Sequence, residues 1–293
     1  MKPNKIFQLV VFVSLIITNS CNTDPNVNLN DSELTIEFSD GTLLTESDIE
    51  FYDSSTYTYF LKSHLITETP ISDFKVKVNN DSILGGVLHS CALSSMPPTP
   101  YFISDCFFSG RDIITIGHYG DGENIRNDSR IINSLRENNL FRQGLSCQID
   151  SVSVIESENQ TDVVCSITIS NHDNTSYYIP DLNKMGEEYY TDYTGGLSFS
   201  NATTGLSSFI KDSNSSRQRD DISIEDLSIL EPKSSVSYTY KSRNYYAIPE
   251  GEYKVRVRFY GIVYTADEFE LNQENGRIWV GEIQAYKDGI IIK

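Results

Sequence analysis

The chain has 293 residues, with 41 acidic side chains against 23 basic ones and a formal net charge of −18 at neutral pH. A surface this acidic repels phosphate backbones and anionic headgroups, which excludes nucleic acid as a partner. Composition is that of a folded globular protein, and the length suits two domains, each able to bury a core of its own.

In chain order, the first element is an N-terminal signal. Lys2 and Lys5 precede an apolar run from Ile6 to Ile17, followed by Thr18-Asn19-Ser20-Cys21. As a helix that run would span only about 18 Å, well short of the roughly 30 Å hydrocarbon core, so it reads as a targeting signal and not as a membrane span. A small residue followed at once by cysteine resembles the lipobox of bacterial lipoproteins, although Thr18 stands where a leucine is usual. The resemblance implies a signal peptide over residues 1–20, acylation of Cys21 with palmitate or similar chains, and a lipid-anchored protein of the outer membrane. Residues 21–32 then hold the lipidated cysteine and a polar tether. No acidic run follows Cys21, such as resembles a surface-export tag in Bacteroidota-type lipoproteins, so the membrane face is left open.

Residues 33–143 read as a small α+β domain. Period-two alternation marks strands at Tyr57 to Lys62 and, more cleanly, at Phe74 to Val78, with Asn79-Asn80-Asp81 as a turn. Ile83 to Cys91 and Tyr101 to Phe108 read as a hairpin around the proline-rich stretch 94–100, and Asp112 to Ile116 as a further strand. Asn127 or Asp128 can cap a helix with Ile131, Ile132 and Leu135 on one face, extended loosely through Leu140 to a stop near Gly144. The expected arrangement is a small antiparallel sheet with one packed helix.

Residues 144–293 carry almost no helix signal. Cys165 to Ile169, Leu197 to Phe199, Val236 to Tyr240 and Tyr253 to Phe259 all alternate, and in the last Lys254, Arg256 and Arg258 face water. Residues 182–196 and 211–225 read as long loops, the second with room for a helical turn. The strings Ile167 to Asn171, Tyr178-Ile179-Pro180, Leu230 to Ser234 and Ile248 to Val255 resemble the immunoglobulin-like domains of bacterial envelope proteins. That resemblance implies an antiparallel β-sandwich over residues 144–293 and brings no catalytic residues with it, so the expected fold class is mainly β.

Beyond Cys21 there are four cysteines, which allow three connectivities. Folding the hairpin about its proline loop sets Cys91 opposite Cys106, and a disulfide is expected there. Pairing Glu156 with Thr161 puts Cys165 near Val152, too far along from Cys147 to bridge it. His89, Cys91, Cys106 and His118 lie on consecutive strands and could be weighed as zinc ligands. Thiolates oxidise in the envelope and no tight Cys-x-x-Cys knuckle is present, so a disulfide with two surface histidines is the better reading and no metal is expected. The stretch Asp121 to Asp128 superficially suits calcium but lacks the downstream bidentate acid.

Signatures of common enzymes are absent from the sequence, and neither catalytic residues nor a cofactor is expected. The expected function is a non-catalytic interaction or accessory module held to the membrane by its lipid, with a protein or glycan partner. A glycan-binding surface lipoprotein is the alternative, and an envelope hydrolase comes third. Tyr189, Tyr190 and Tyr193 combine flat rings with acids in a long loop, and any binding role is expected there. Trp279 reads as core.

Overall fold

Side chains that alternate between core and solvent build this chain mainly from β-strands, packed as four sheets. The computed structural model describes residues 33–63, 72–89, 96–104, 112–120, 122–157, 160–194, 197–210, 221–244, 248–262 and 270–292. Cys21, Cys91 and Cys106 lie outside the described residues, so the lipidation and disulfide expectations do too.

The N-terminal half contains β1 (Leu34–Phe38), β2 (Leu43–Thr45), β3 (Ile49–Asp53), β4 (Thr58–Leu61), β5 (Asp73–Val78), β6 (Asp81–His89), β7 (Tyr101–Ser104) and β8 (Ile113–His118), then α1 (Ser129–Glu137) and β9 (Phe141–Arg142). They form one nine-stranded sheet in the order β2-β1-β5-β6-β7-β8-β4-β3-β9, far larger than the sequence suggested. Leu34, Ile36 and Phe38 turn inward from β1, and Phe74, Val76 and Val78 from β5. Asn79 and Asn80, at φ 52° and 69°, make the tight turn that pairs Val78 with Asp81. Asp128 caps α1 by accepting from the Arg130 amide, and Ile131, Ile132 and Leu135 are buried. The helix ends at Glu137, earlier than expected, because Asn139 turns into the left-handed region at φ 59°.

One pairing differs from expectation. β6 and β7 run parallel, with Val87 opposite Phe102 and His89 opposite Ser104, and do not form a hairpin. β6 thus lies between an antiparallel neighbour, β5, and a parallel one, β7. Gly86 permits the contact, since a Cβ there would lie 2.2 Å from the Tyr101 carbonyl oxygen.

The C-terminal half begins with the long hairpin β10 (Leu145–Ser157) and β11 (Gln160–Asn171). Its register pairs Glu156 with Thr161 and Val152 with Cys165, as the sequence indicated. β12 (Tyr177–Pro180), α2 (Leu182–Met185), α3 (Glu187–Thr194), β13 (Leu197–Asn201) and β14 (Ser207–Ile210) follow. A 3-10 turn at Ile224–Asp226 leads into β15 (Leu227–Leu230), β16 (Ser235–Asn244), β17 (Gly251–Tyr260), β18 (Asn272–Gln273), β19 (Gly276–Ile278) and β20 (Glu282–Ile292). Sheets β10-β11-β16 and β14-β13-β17-β20 share one core, in which Val163, Cys165, Ile167 and Ile169 join Val255, Val257, Ile283 and Ala285. This strand order is that of an immunoglobulin sandwich. The Tyr253 hydroxyl donates to the Pro249 carbonyl at 2.8 Å, the tyrosine corner that opens its sixth strand. Asn171 donates to the carbonyls of Thr175, Leu230 and Glu231 and so ties the asparagine turn to its neighbours. A side sheet, β15-β12-β19-β18, completes this half.

The two halves have separate cores, and residues Ser32–Lys293 nevertheless pack as one unit. Between the cores sits a small cluster of Phe51, Phe60, Ile113 and Val280. Phe51 and Phe60 stack at 4.3 Å, and the Arg277 guanidinium lies 4.7 and 4.6 Å from their ring centres. Arg277 also reaches Glu50 at 3.0 Å. Gly144, at φ 77°, lets the chain cross close to Asp53; a Cβ there would sit 2.1 Å from the Asp53 carboxylate.

Candidate binding surface

The three tyrosines expected to line a binding loop are core residues. Residues 182–194 fold as two short helices, and α3 turns Tyr189, Tyr190 and Tyr193 inward to 3%, 1% and 4% exposure. One helical turn separates Tyr189 from Tyr193, so their rings share a face at 6.1 Å, while Tyr190 packs against Tyr238 and Tyr240. The Tyr193 hydroxyl donates to the Gly261 carbonyl at 2.6 Å. Apolar ring area outweighs the adjacent acids: Glu187 and Glu188 stay in water while the rings close the sandwich core.

Other expected sites are likewise taken up by the fold. His89 packs edge-on to Phe102, and His118 lies 5.1 Å from the Tyr101 ring, where burial and then the Arg126 charge lower its pKa. In the stretch considered for calcium, Asn127 accepts from the Tyr52 hydroxyl, Asn124 holds Arg126, and Asp128 caps α1. No group of three or more potential metal ligands gathers among the described residues. Cys147 and Cys165 are free thiols, pushed up to about 12 by burial and therefore unreactive. Trp279 is core, 1% exposed and stacked on Phe259.

What stands open is the outer face of β17 and β20. Alternation along β17 buries Tyr253, Val255, Val257 and Phe259 and turns Lys254, Arg256 and Arg258 outward. Pairing sets Arg256 beside Ser198 of β13 on one side and Tyr286 of β20 on the other, with Arg258 beside Gln284. Lys254 Nζ lies 4.7 Å from the centre of the Tyr286 ring and 3.9 Å from Asp288. Arg258 Nε is 3.6 Å from Glu282, and its Nη1 donates to the Tyr260 hydroxyl. The Tyr286 hydroxyl donates to Gln284, whose amide donates to Glu282, so a chain of hydrogen bonds orders this row. Tyr286 is 53% exposed. Two of the three cations thus face a carboxylate, whereas Arg256 has no hydrogen-bond or ion-pair partner among the described residues.

No protein-family description, curated protein or solved structure matches this chain. The chemistry of the face therefore has to be read from its own groups. A guanidinium fork, an ammonium, an amide and a half-exposed ring can hold an anionic or hydroxyl-rich ligand. Sequence reasoning found the three cations but missed Tyr286, Gln284 and Glu282. The signal was present: Ile283 and Ala285 alternate with Gln284 and Tyr286.

A second feature lies at the neighbouring edge. β10 and β20 are the edge strands of their sheets, and the Lys287 ammonium spans them by donating to the Ile149 and Asp150 carbonyls. Both strands are irregular there, β10 at Ile149/Ser151 and β20 across from Lys254. Beyond that point they border a cleft of about 550 Å³ lined by Val152, Ser153, Val154 and residues Gly289 to Ile292.

Proposed function

We propose that the chain is a non-catalytic binding module, anchored through acylated Cys21 to the outer membrane of a bacterial envelope, that presents the β17–β20 face to its ligand. Arg256 carries this reading: a guanidinium without a partner among the described residues, set between two cations that each face a carboxylate and beside an ordered, exposed ring. The lipobox resemblance at Cys21 supports the anchor. A glycan suits the face best. The cleft beyond Lys287 favours a second reading, a protein partner that adds an extended segment to a free strand edge.

The full chain is expected to fractionate with outer membranes and, once solubilised in detergent, to bind on a glycan array. Changing Lys254, Arg256 and Tyr286 together to Ala should abolish that binding with the melting temperature unchanged. Cys21→Ala should release the protein into soluble fractions or leave an uncleaved precursor. Array binding that survives the triple change refutes the face, and normal processing with unchanged partitioning of the Cys21 variant refutes the anchor.

A further inference from the structure

Building on that reading, we infer that the β17–β20 face takes a sparsely charged acidic glycan, with a sugar carboxylate on Arg256 and the sugar ring against Tyr286. Charge decides the number of anionic groups. Lys254 has Asp288 at 3.9 Å and Arg258 has Glu282 at 3.6 Å, which leaves the charge of Arg256 uncompensated among the described residues. Around it the chain carries −18, so a densely charged polyanion meets repulsion once it extends past this one cation; screening over about 8 Å at physiological salt protects only the local contact. One carboxylate in reach of one guanidinium fork fits that field.

Geometry decides for a sugar over a peptide. β17 lies inside its sheet, hydrogen-bonded to β13 on one side and β20 on the other, so the face around Arg256 offers an extended peptide no main-chain partners. It offers side-chain groups only: the Tyr286 ring, held by its bond to Gln284 at 2.6 Å, and the half-buried Ser200 hydroxyl in the adjoining strand, which also pairs with Ser207. A flat, pre-ordered ring beside hydroxyl and amide groups is suited to the apolar face and hydroxyl rim of a pyranose. Arg256, Lys254 and Tyr286 contribute contacts and no bond-making step.

The test is a titration of the detergent-solubilised full chain with three probes: a uronate-containing oligosaccharide, the same oligosaccharide with its carboxyls reduced to alcohols, and a densely sulfated polysaccharide. Binding of the uronate probe is expected to exceed that of the reduced probe by about tenfold or more, the weight of a charge-assisted hydrogen bond. Arg256→Ala should remove that preference, and Tyr286→Ala should weaken both uncharged and charged probes. The sulfated polymer should bind more weakly than the uronate. Equal affinity for the uronate and its reduced form, tighter binding of the sulfated polymer, or no uronate binding at all overturns the inference. A neutral glycan that still needs Arg256 and Tyr286 would leave the face as the binding surface while removing the acidic sugar.

Discussion

Asp53 is 1% exposed where the two cores meet, and burial pushes its carboxyl up from 3.8 to about 6, with Asp173 raising it further and hydrogen bonds from Ser55 opposing. The Trp279 indole N–H lies nearby without closing a hydrogen bond of good geometry. Because the folded state holds this proton more tightly than the unfolded chain does, its contribution to stability is complete below pH 3.8 and is lost as pH rises through 6. A rise from 3.8 to about 6 corresponds to roughly 3 kcal/mol. Asp53→Asn removes the ionisation and can keep both Ser55 bonds, since the amide and the hydroxyl of Ser55 donate to the same oxygen, Oδ1. The variant is expected to match the parent near pH 4 or below and to exceed it by up to roughly 3 kcal/mol at pH 7.5. Urea unfolding of both proteins across that range measures the difference directly, with all other titrating groups in common. A difference that is constant with pH, or that grows towards acid, would refute the burial argument.

Arg277→Ala should destabilise by about 3 kcal/mol, because it strips the Glu50 pair and the cation packed on Phe51 and Phe60; urea midpoints measure it. Tyr190 is 1% exposed and its hydroxyl has no hydrogen-bond partner among the described residues, so Tyr190→Phe should leave stability unchanged or raised while Tyr190→Ala costs about 4 kcal/mol. Equal losses in the two variants would show the hydroxyl to matter. The sequence expectation of a Cys91–Cys106 bridge rests on a hairpin that the parallel pairing of β6 and β7 replaces, and both cysteines lie outside the described residues. A bridge closing that loop would contribute about 3 kcal/mol in the chain-entropy model, and peptide mapping without reductant is the measurement that decides whether it exists.

Local pattern carried the strands and the cap, and long-range pairing was what it could not carry. The β10–β11 register was legible because both strands alternate up to a single turn, so Val152 could only meet Cys165. Asp128 was legible because a capping side chain and its helix are neighbours in sequence. By contrast, β6 meets β7 in parallel, and nothing in either strand names its partner or direction. The alternation of Leu34, Ile36 and Phe38 was there to be read as β1, yet its place in a nine-stranded sheet was not. Tyr189, Tyr190 and Tyr193 misled because tyrosine serves surfaces and cores alike, and one helical turn settled which. For the candidate face, Arg256 could be placed outward from β17 alone, while its neighbour Tyr286 needed the pairing of β17 with β20.

Lys287 also bears on the exposed edges of these two strands. β10 and β20 end their sheets with unpaired rows of amides and carbonyls, and β20 finishes in Ile290-Ile291-Ile292, with Ile291 57% exposed. Such an edge is a template for another molecule's strand, and isoleucine runs are the segments that stack most readily. The ammonium lodged on the carbonyls of Ile149 and Asp150 occupies acceptors there, and the register shifts in both strands, with Gly289 at φ 74°, break the flat geometry that stacking requires. A charged side chain at that point interrupts the regular edge, the placement by which natural sheets limit where a foreign strand can pair.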